Sequence, residues 1–203
     1  MNREFFRQVY LRSLWGALHS KSGLGSEGDF AKQKKSILGD IIGSYEIKTV
    51  LDIGCGDFYW MKDLCQSLDG YTGIDIVPEM ISSNRREYGG RNVEFLLLDL
   101  TEGSDQQKLR DRKWDLIVCL DVFGHLLNDE VTSLVKFLMH EVQGQYLVLT
   151  NRRDDLSRNY LSEEKSRHHG IDLEVHPDFS MTRIEQRPAL YPDDWFDLYR
   201  LPR

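Results

Sequence analysis

The chain has 203 residues and a formal net charge of -7. That length suits one core, and the acidic balance supplies no basic footprint for nucleic-acid phosphates, so nucleic acid is disfavoured as a partner. No apolar run approaches the roughly 20 residues that span a bilayer, no signal-peptide core opens the chain, and the three cysteines form no Cys-x-x-Cys pair. A single cytoplasmic domain without a disulfide framework or zinc site is the expectation, and no metal ligand set is assigned.

Phe5, Phe6, Val9, Tyr10, Leu14, Trp15 and Leu18 recur near helical spacing and predict an amphipathic N-terminal helix that caps a core. Ser20 to Gly28 are rich in serine and glycine and read as a loop, followed by a helix through Ile37, Ile41 and Ile42. Lys48 to Ile53 then form a short β-branched run of the kind buried in a parallel sheet, and Asp57 to Leu68 read as helical. Between them the chain turns at Gly54 and Gly56. There glycine lets a ligand lie against the main chain, and the helix start is expected to offer unpaired N–H groups.

The alternation continues. Tyr71 to Val77 predict a second strand ending at Asp75, about 20 residues beyond the turn, where nucleotide folds place an acid on ribose hydroxyls. Pro78 fits the first turn of a helix through Met80, Ile81 and Tyr88, stopped by Gly89 and Gly90. Val93 to Leu98 form a third strand closing on Asp99 and Leu100, and Asp115 to Leu120 a fourth ending at Asp121. Asn128, Asp129 and Glu130 open a helix through Val131, Leu134, Val135 and Leu138, and Gln145 to Thr150 supply a fifth strand. Four successive strands thus close on acids at the edge where open α/β sheets bind ligands. Any one of these acids could instead cap a helix, but the ordered set favours cofactor contact.

The spacing selects among cofactors. A dinucleotide fingerprint wants a third glycine where Tyr59 stands, and has no acid two residues before its first glycine. Asp52-x-Gly54-x-Gly56 instead resembles the first motif of the class I S-adenosylmethionine-dependent methyltransferases. The run from Gly54 to Met61, with Cys55, Asp57 and Trp60, and the run from Tyr71 to Glu79 resemble a group of small bacterial and phage members. Ser22 and Gly23 resemble that group's upstream serine-glycine loop, which by implication lies over the cofactor. The resemblance spans about residues 20–150.

The resemblance implies a Rossmann-like α/β fold: a mostly parallel seven-stranded sheet with helices on both faces, closed by an antiparallel pair at Thr182 to Ile184 and Trp195 to Leu201. It divides the single domain into cap helices (1–45), a cofactor core (46–150), an acceptor lid (151–180) and closing strands (181–203). It further implies that Asp52, with Gly54, Cys55 and Gly56, holds the methionine end of S-adenosylmethionine, that Asp75 and Ile76 hold the ribose, and that Asp99 and Leu100 hold the adenine. Asp121 would lie near the transferred methyl.

The implied function is O-methylation of a small-molecule or glycan-like acceptor by in-line transfer, with His125 as candidate base and Asp121 orienting it or binding the acceptor. His125 reads equally well as a residue that caps or packs the next helix, since an anionic acceptor needs no base. Arg152, Arg153 and His168 are candidate acceptor contacts, although a mixed-charge run such as 151–172 more often forms a solvated helix face. Trp60 is read as an acceptor contact or as packing. Methylation of protein or RNA, and a cofactor-binding subunit without catalysis, are the alternatives. The Asn/Asp-Pro-Pro-Tyr/Phe motif that grips a base amine is absent from Leu120 to Phe123. Oligomeric state is left open.

Overall fold

A computed structural model describes residues 3–152, 173, 179–190 and 194–202. Its helices are α1 (Arg3–Arg12), α2 (Gly28–Ser44), α3 (Pro78–Tyr88), α4 (Gly103–Gln106) and α5 (Asn128–His140). Its strands are β1 (Thr49–Ile53), β2 (Gly70–Asp75), β3 (Val93–Leu97), β4 (Lys113–Cys119), β5 (Gln143–Arg152), β6 (Thr182–Pro188) and β7 (Asp194–Arg200). The strands make one seven-stranded sheet in the order β3-β2-β1-β4-β5-β7-β6, parallel except at β7 and β6. This is the mostly parallel seven-stranded sheet with a closing antiparallel pair that the resemblance implies. Two compact units divide the chain between Asp99 and Leu100.

In the first unit β1 pairs in parallel with β2, and β2 with β3. Val50, Leu51 and Ile53 are buried because the strand is covered on both sides, which is why it reads as a continuous apolar run. Phe58, Tyr71 and Phe95 meet with ring centroids 5.0–5.9 Å apart and fill the core beside these strands. Pro78 starts α3 at the position where its missing N–H costs nothing.

Two helical expectations are corrected here. The segment after the glycine turn is not α-helical from Asp57: Phe58 is left-handed (φ 59°), and a 3₁₀ stretch covers only Met61–Ser67. The N-terminal helix stops at Arg12 rather than reaching Leu18, because Ser13 turns left-handed (φ 49°). Leu14 N–H then bonds to Val9 O at 3.0 Å and Ser13 N–H to Tyr10 O at 3.3 Å, the two bonds of a Schellman stop. Of its apolar stripe only Val9 is buried, while Phe5, Leu14 and Leu18 are exposed.

In the second unit β4 pairs in parallel with β5, and β7 runs antiparallel to β5 and β6. Ile117, Val118 and Cys119 pair with Leu147, Val148 and Leu149 in a fully buried seam. Glu130 accepts from Leu127 N–H at 2.8 Å and fixes the start of α5, as the run Asn128 to Glu130 predicts.

Candidate functional site

The turn after β1 is built to let the chain reverse at close quarters. Gly54 (φ 75°) and Gly56 (φ 58°) are both left-handed, and Gly54 is exposed between buried Ile53 and Cys55. Gly54 N–H and Cys55 N–H both donate to Ile74 O, at 2.8 and 2.9 Å, which staples the turn to the end of β2. Gly56 N–H donates to Asp75 Oδ2 at 3.1 Å, and Asp57 N–H to Ser22 Oγ at 2.8 Å. The expectation of unpaired N–H groups is therefore overturned: each amide from Gly54 to Asp57 is spent inside the protein.

What the turn presents instead is negative charge. Asp75, half-buried at the end of β2, accepts from Gly56 N–H on one oxygen and from Val77 N–H at 3.0 Å on the other. Each oxygen keeps lone-pair capacity for a further donor. Burial pushes the Asp75 carboxyl above its ordinary value, against the pull of the backbone donors of Val77, Gly56 and Ile76. Ile76 itself is buried, as is Cys55, whose thiol is held well above its usual range by burial and by the charges of Asp75, Asp52 and Asp57. Cys55 is thus a packing group without nucleophilic character.

Asp57 is the organiser that sequence reasoning left without a role. Its carboxylate accepts from Ser20 Oγ (3.1 Å), Lys21 N–H (2.7 Å), Ser22 Oγ (3.1 Å) and Tyr59 N–H (3.3 Å). The serine-glycine loop is thereby seated on the turn, which places Ser22 beside Gly56, with Gly23 against Trp15. Glu27 grips the same loop from the other end, accepting from Leu18, His19 and Ser20 N–H. Those bonds hold its carboxyl below the ordinary glutamate value. Buried Asn84 on α3 adds a bond to Gly56 O at 2.7 Å.

This arrangement makes Gly56 hard to replace. A Cβ there would collide with Ser22 Oγ, and the left-handed backbone penalises any L side chain by roughly 1 kcal/mol. Gly56→Ala is expected to unseat the loop and to destabilise the protein by about 2 kcal/mol, read by denaturant unfolding. Unchanged stability would show that Ser22 moves aside without cost.

Asp52 is 4% exposed, near the end of β1. Tyr71 OH donates to its Oδ2 at 2.7 Å. Burial raises its carboxyl to about 6, opposed by the Tyr71 bond and the positive charge of Lys34 and reinforced by Asp75. Lys34 is itself buried on α2, with its Nζ 5.8 Å from the Trp60 ring centroid, so half-buried Trp60 packs beside a cation. Asp99 is buried just beyond β3. Tyr71, Lys34, Asn84 and Asp57 were missed because their roles depend on contacts across 18 or more residues.

Taken as chemistry, the first unit's turn offers carboxylates and no free N–H donors. A phosphate would meet like charge there, whereas a ligand with a cationic centre and a vicinal diol would bring further donors to Asp75 and Asp52.

In the second unit, Leu100 is buried, and Asp121 and His125 are exposed beyond β4. Asp121 is left-handed (φ 58°), a conformation that an aspartate adopts at some cost. Thr150 on β5 holds it there: Asp121 N–H donates to Thr150 Oγ1 at 2.6 Å, and Thr150 Oγ1 donates to Asp121 Oδ1 at 3.0 Å. His125 ends the 3₁₀ turn Phe123–His125, with its N–H on Val122 O. Arg152 closes β5, while Arg153 and His168 lie outside the described residues. Among the described residues no cluster of three or more His, Cys, Asp or Glu side chains could hold a metal ion.

A methyltransferase-domain family matches residues 50–141, the stretch that contains the turn, Asp75, Asp99, Asp121 and His125. Residues 50–141 carry a methyltransferase domain. Similar curated proteins include a malonyl-[acyl-carrier protein] O-methyltransferase of Acetivibrio thermocellus, 32% identical over 54% of this chain and 40% of that protein. A ubiquinone biosynthesis O-methyltransferase of Hydrogenovibrio crunogenus is 27% identical over 55% and 42%. A small RNA 2'-O-methyltransferase of Rattus norvegicus is 34% identical over 49% and 28%. The matches therefore span less than half of these relatives. Among solved structures, the N-methyltransferase NodS from Bradyrhizobium japonicum with S-adenosyl-L-homocysteine aligns over 98% of this chain and 99% of its own, with a TM-score of 0.72 and 18% identity. That likeness extends the shared fold beyond the matched methyltransferase domain.

The cofactor of this domain is S-adenosylmethionine, which brings a sulfonium, an ammonium and a ribose cis-diol. These are the groups that the donor-poor, acidic turn suits.

Proposed function

We propose that this protein methylates an oxygen atom of a small-molecule or glycan-like acceptor. The reading is carried by the turn between β1 and the 3₁₀ stretch, whose amides are internally satisfied and whose free valences are carboxylate oxygens. In this reading Asp75 receives the ribose hydroxyls, Asp52 and the exposed backbone of Gly54 face the amino-acid end, and Asp99 and Leu100 serve the adenine. When bound, S-adenosylmethionine supplies a methyl group on a sulfonium, already activated for displacement.

The chain's own residues then have three tasks: to line up the acceptor oxygen, to exclude water, and to take the hydroxyl proton as the new C–O bond forms. His125 is the group with the right intrinsic pKa for the last task. Asp121, held by Thr150, binds the acceptor or orients the imidazole. The O-methyltransferase relatives support oxygen as the acceptor atom, and the net charge of -7 weighs against an RNA acceptor.

The test is methyl transfer from radiolabelled S-adenosylmethionine to a panel of sugars, phenols and carboxylates, with cofactor affinity measured alongside by calorimetry. His125→Ala is expected to lower turnover by about 100-fold or more with cofactor affinity kept. Unaltered turnover removes His125 as base and points to an acceptor that is already anionic.

A further inference from the structure

The methyltransferase reading leaves the N-terminal segment without a task, and the structure leaves it unusually exposed. Five of the seven exposed large apolar side chains among the described residues fall between Phe5 and Leu24, with Leu14 at 59% and Leu18 at 82% exposure. Single exposed leucines are ordinary, but a cluster of this kind marks a contact surface.

Charge narrows what that surface fits. From Arg3 to Lys21 there are four basic side chains against one acid, Glu4, in a chain whose net charge is -7, and of the four Arg7 is ion-paired with Glu79 and Glu4. Arg3, Arg12 and Lys21 are exposed. Local positive charge interleaved with leucine and with half-buried Trp15 is the composition of an interfacial helix.

Sequence and structure also disagree here in an informative way. Leu11, Leu14 and Leu18 keep the i, i+3, i+7 spacing of one helix face, yet α1 stops at Arg12. The residue that stops it in the left-handed conformation is Ser13 rather than glycine, and Gly16 is left-handed too (φ 66°). Leu14 lies where a Schellman stop gains an apolar contact, but it is largely exposed. The stop is thus weakly encoded, and the spacing describes a longer helix whose leucine face is exposed in the isolated chain.

We propose that residues 3–18 bind an anionic lipid bilayer, lying in its interface, with 13–18 joining α1 as helix on contact. A bilayer supplies both the negative plane for Arg3, Arg12 and Lys21 and the hydrocarbon for Leu14 and Leu18. The acidic surface of a second copy would meet only the charges, and nucleic acid would leave the leucines in water. No described helix is long and apolar enough to cross a membrane, so the association is peripheral.

The experiment is sedimentation of the full chain with vesicles of phosphatidylglycerol and phosphatidylcholine, against phosphatidylcholine alone, with circular dichroism on the same samples. The expected result is binding to the anionic vesicles only, weakened by high salt, with a gain of roughly six helical residues. Leu14→Ser with Leu18→Ser should reduce binding at least tenfold, and Arg12→Glu about fivefold. Both alter exposed side chains, and retained S-adenosylmethionine binding certifies the fold. No binding, equal binding to neutral vesicles, or full binding by the leucine variant overturns the proposal. So does a concentration-dependent dimer that the leucine variant abolishes in the absence of vesicle binding. Cofactor titration on the same protein keeps this outcome separate from the methyltransferase reading.

Discussion

Asp75→Ala is expected to lower affinity for S-adenosylmethionine about a hundredfold, roughly 2.7 kcal/mol. The size follows from what the carboxylate does. In the proposed ribose role it would accept charge-assisted hydrogen bonds, one of which alone lies in the range of about 1.5–3 kcal/mol. It also holds Gly56 N–H at 3.1 Å and Val77 N–H at 3.0 Å, so its removal leaves two turn amides without their partner. Asp75→Asn keeps one acceptor oxygen and should fall between wild type and the alanine variant. Ligand choice separates the ribose role from a general loosening of the turn. Adenosine carries the diol without the amino-acid end, so calorimetry should show its binding reduced by Asp75→Ala in the same proportion as that of S-adenosylmethionine. Unchanged affinity for either would remove Asp75 from the ribose.

The strands were readable because burial on both faces writes itself as a continuous β-branched run. Thr49–Ile53 lies within one residue of the expected limits, and Lys113–Cys119 is offset from its limits by one or two; Asp194–Arg200, which has no β-branched residue, was placed by the family resemblance instead. The acids at the strand ends were readable for the same reason, since each closes an apolar run. What stayed hidden depends on distant partners. Nothing local announces that Phe58 turns left-handed; it does so within a ring cluster with Tyr71 and Phe95, residues far away in sequence. The Asp57 grip on Ser20 and Ser22 spans 35–37 residues.

The same limit applies to Asp197 on β7, which is fully buried and accepts from Gln186 at 2.7 Å and more weakly from Asn151 and Tyr199 at 3.3 Å. In the sequence it looks like an exposed position of an alternating strand. Polar groups go inside where partners converge on them, and convergence is a property of the sheet, not of the strand. For the candidate site, the sequence located the acids but reversed the expectation about the amides. It could not show that Ile74 O, Asp75 and Ser22 had already taken them.

Asp52→Asn tests a conflict between stability and binding in one residue. Burial raises the Asp52 carboxyl from 3.8 to about 6, with the Tyr71 hydroxyl and the charge of Lys34 opposing. The native protein therefore holds this proton more tightly than the unfolded chain does. The resulting stabilisation is fully present below about pH 4 and is lost as pH rises through about 6, so that at neutral pH the ionised buried group costs roughly 3 kcal/mol. Asparagine carries no charge to bury, and its carbonyl oxygen can still accept from Tyr71 OH. The cofactor-free variant is expected to be about 1–3 kcal/mol more stable than wild type near pH 7.5, with the difference vanishing near pH 4, as measured by denaturant unfolding across that range. Binding should move the other way. Wild type should lose affinity for S-adenosylmethionine as pH falls through about 6 and the carboxylate facing the ammonium is neutralised; the variant should bind about tenfold more weakly at pH 7.5 and lose that pH dependence. Adenosine, which has no ammonium, should bind both proteins alike. A variant less stable than wild type at pH 7.5 would mean that Lys34 and Tyr71 outweigh burial. Asp52 would then be one half of a buried ion pair that supports the fold, and its assignment to the amino-acid end of the cofactor would rest on the binding data alone.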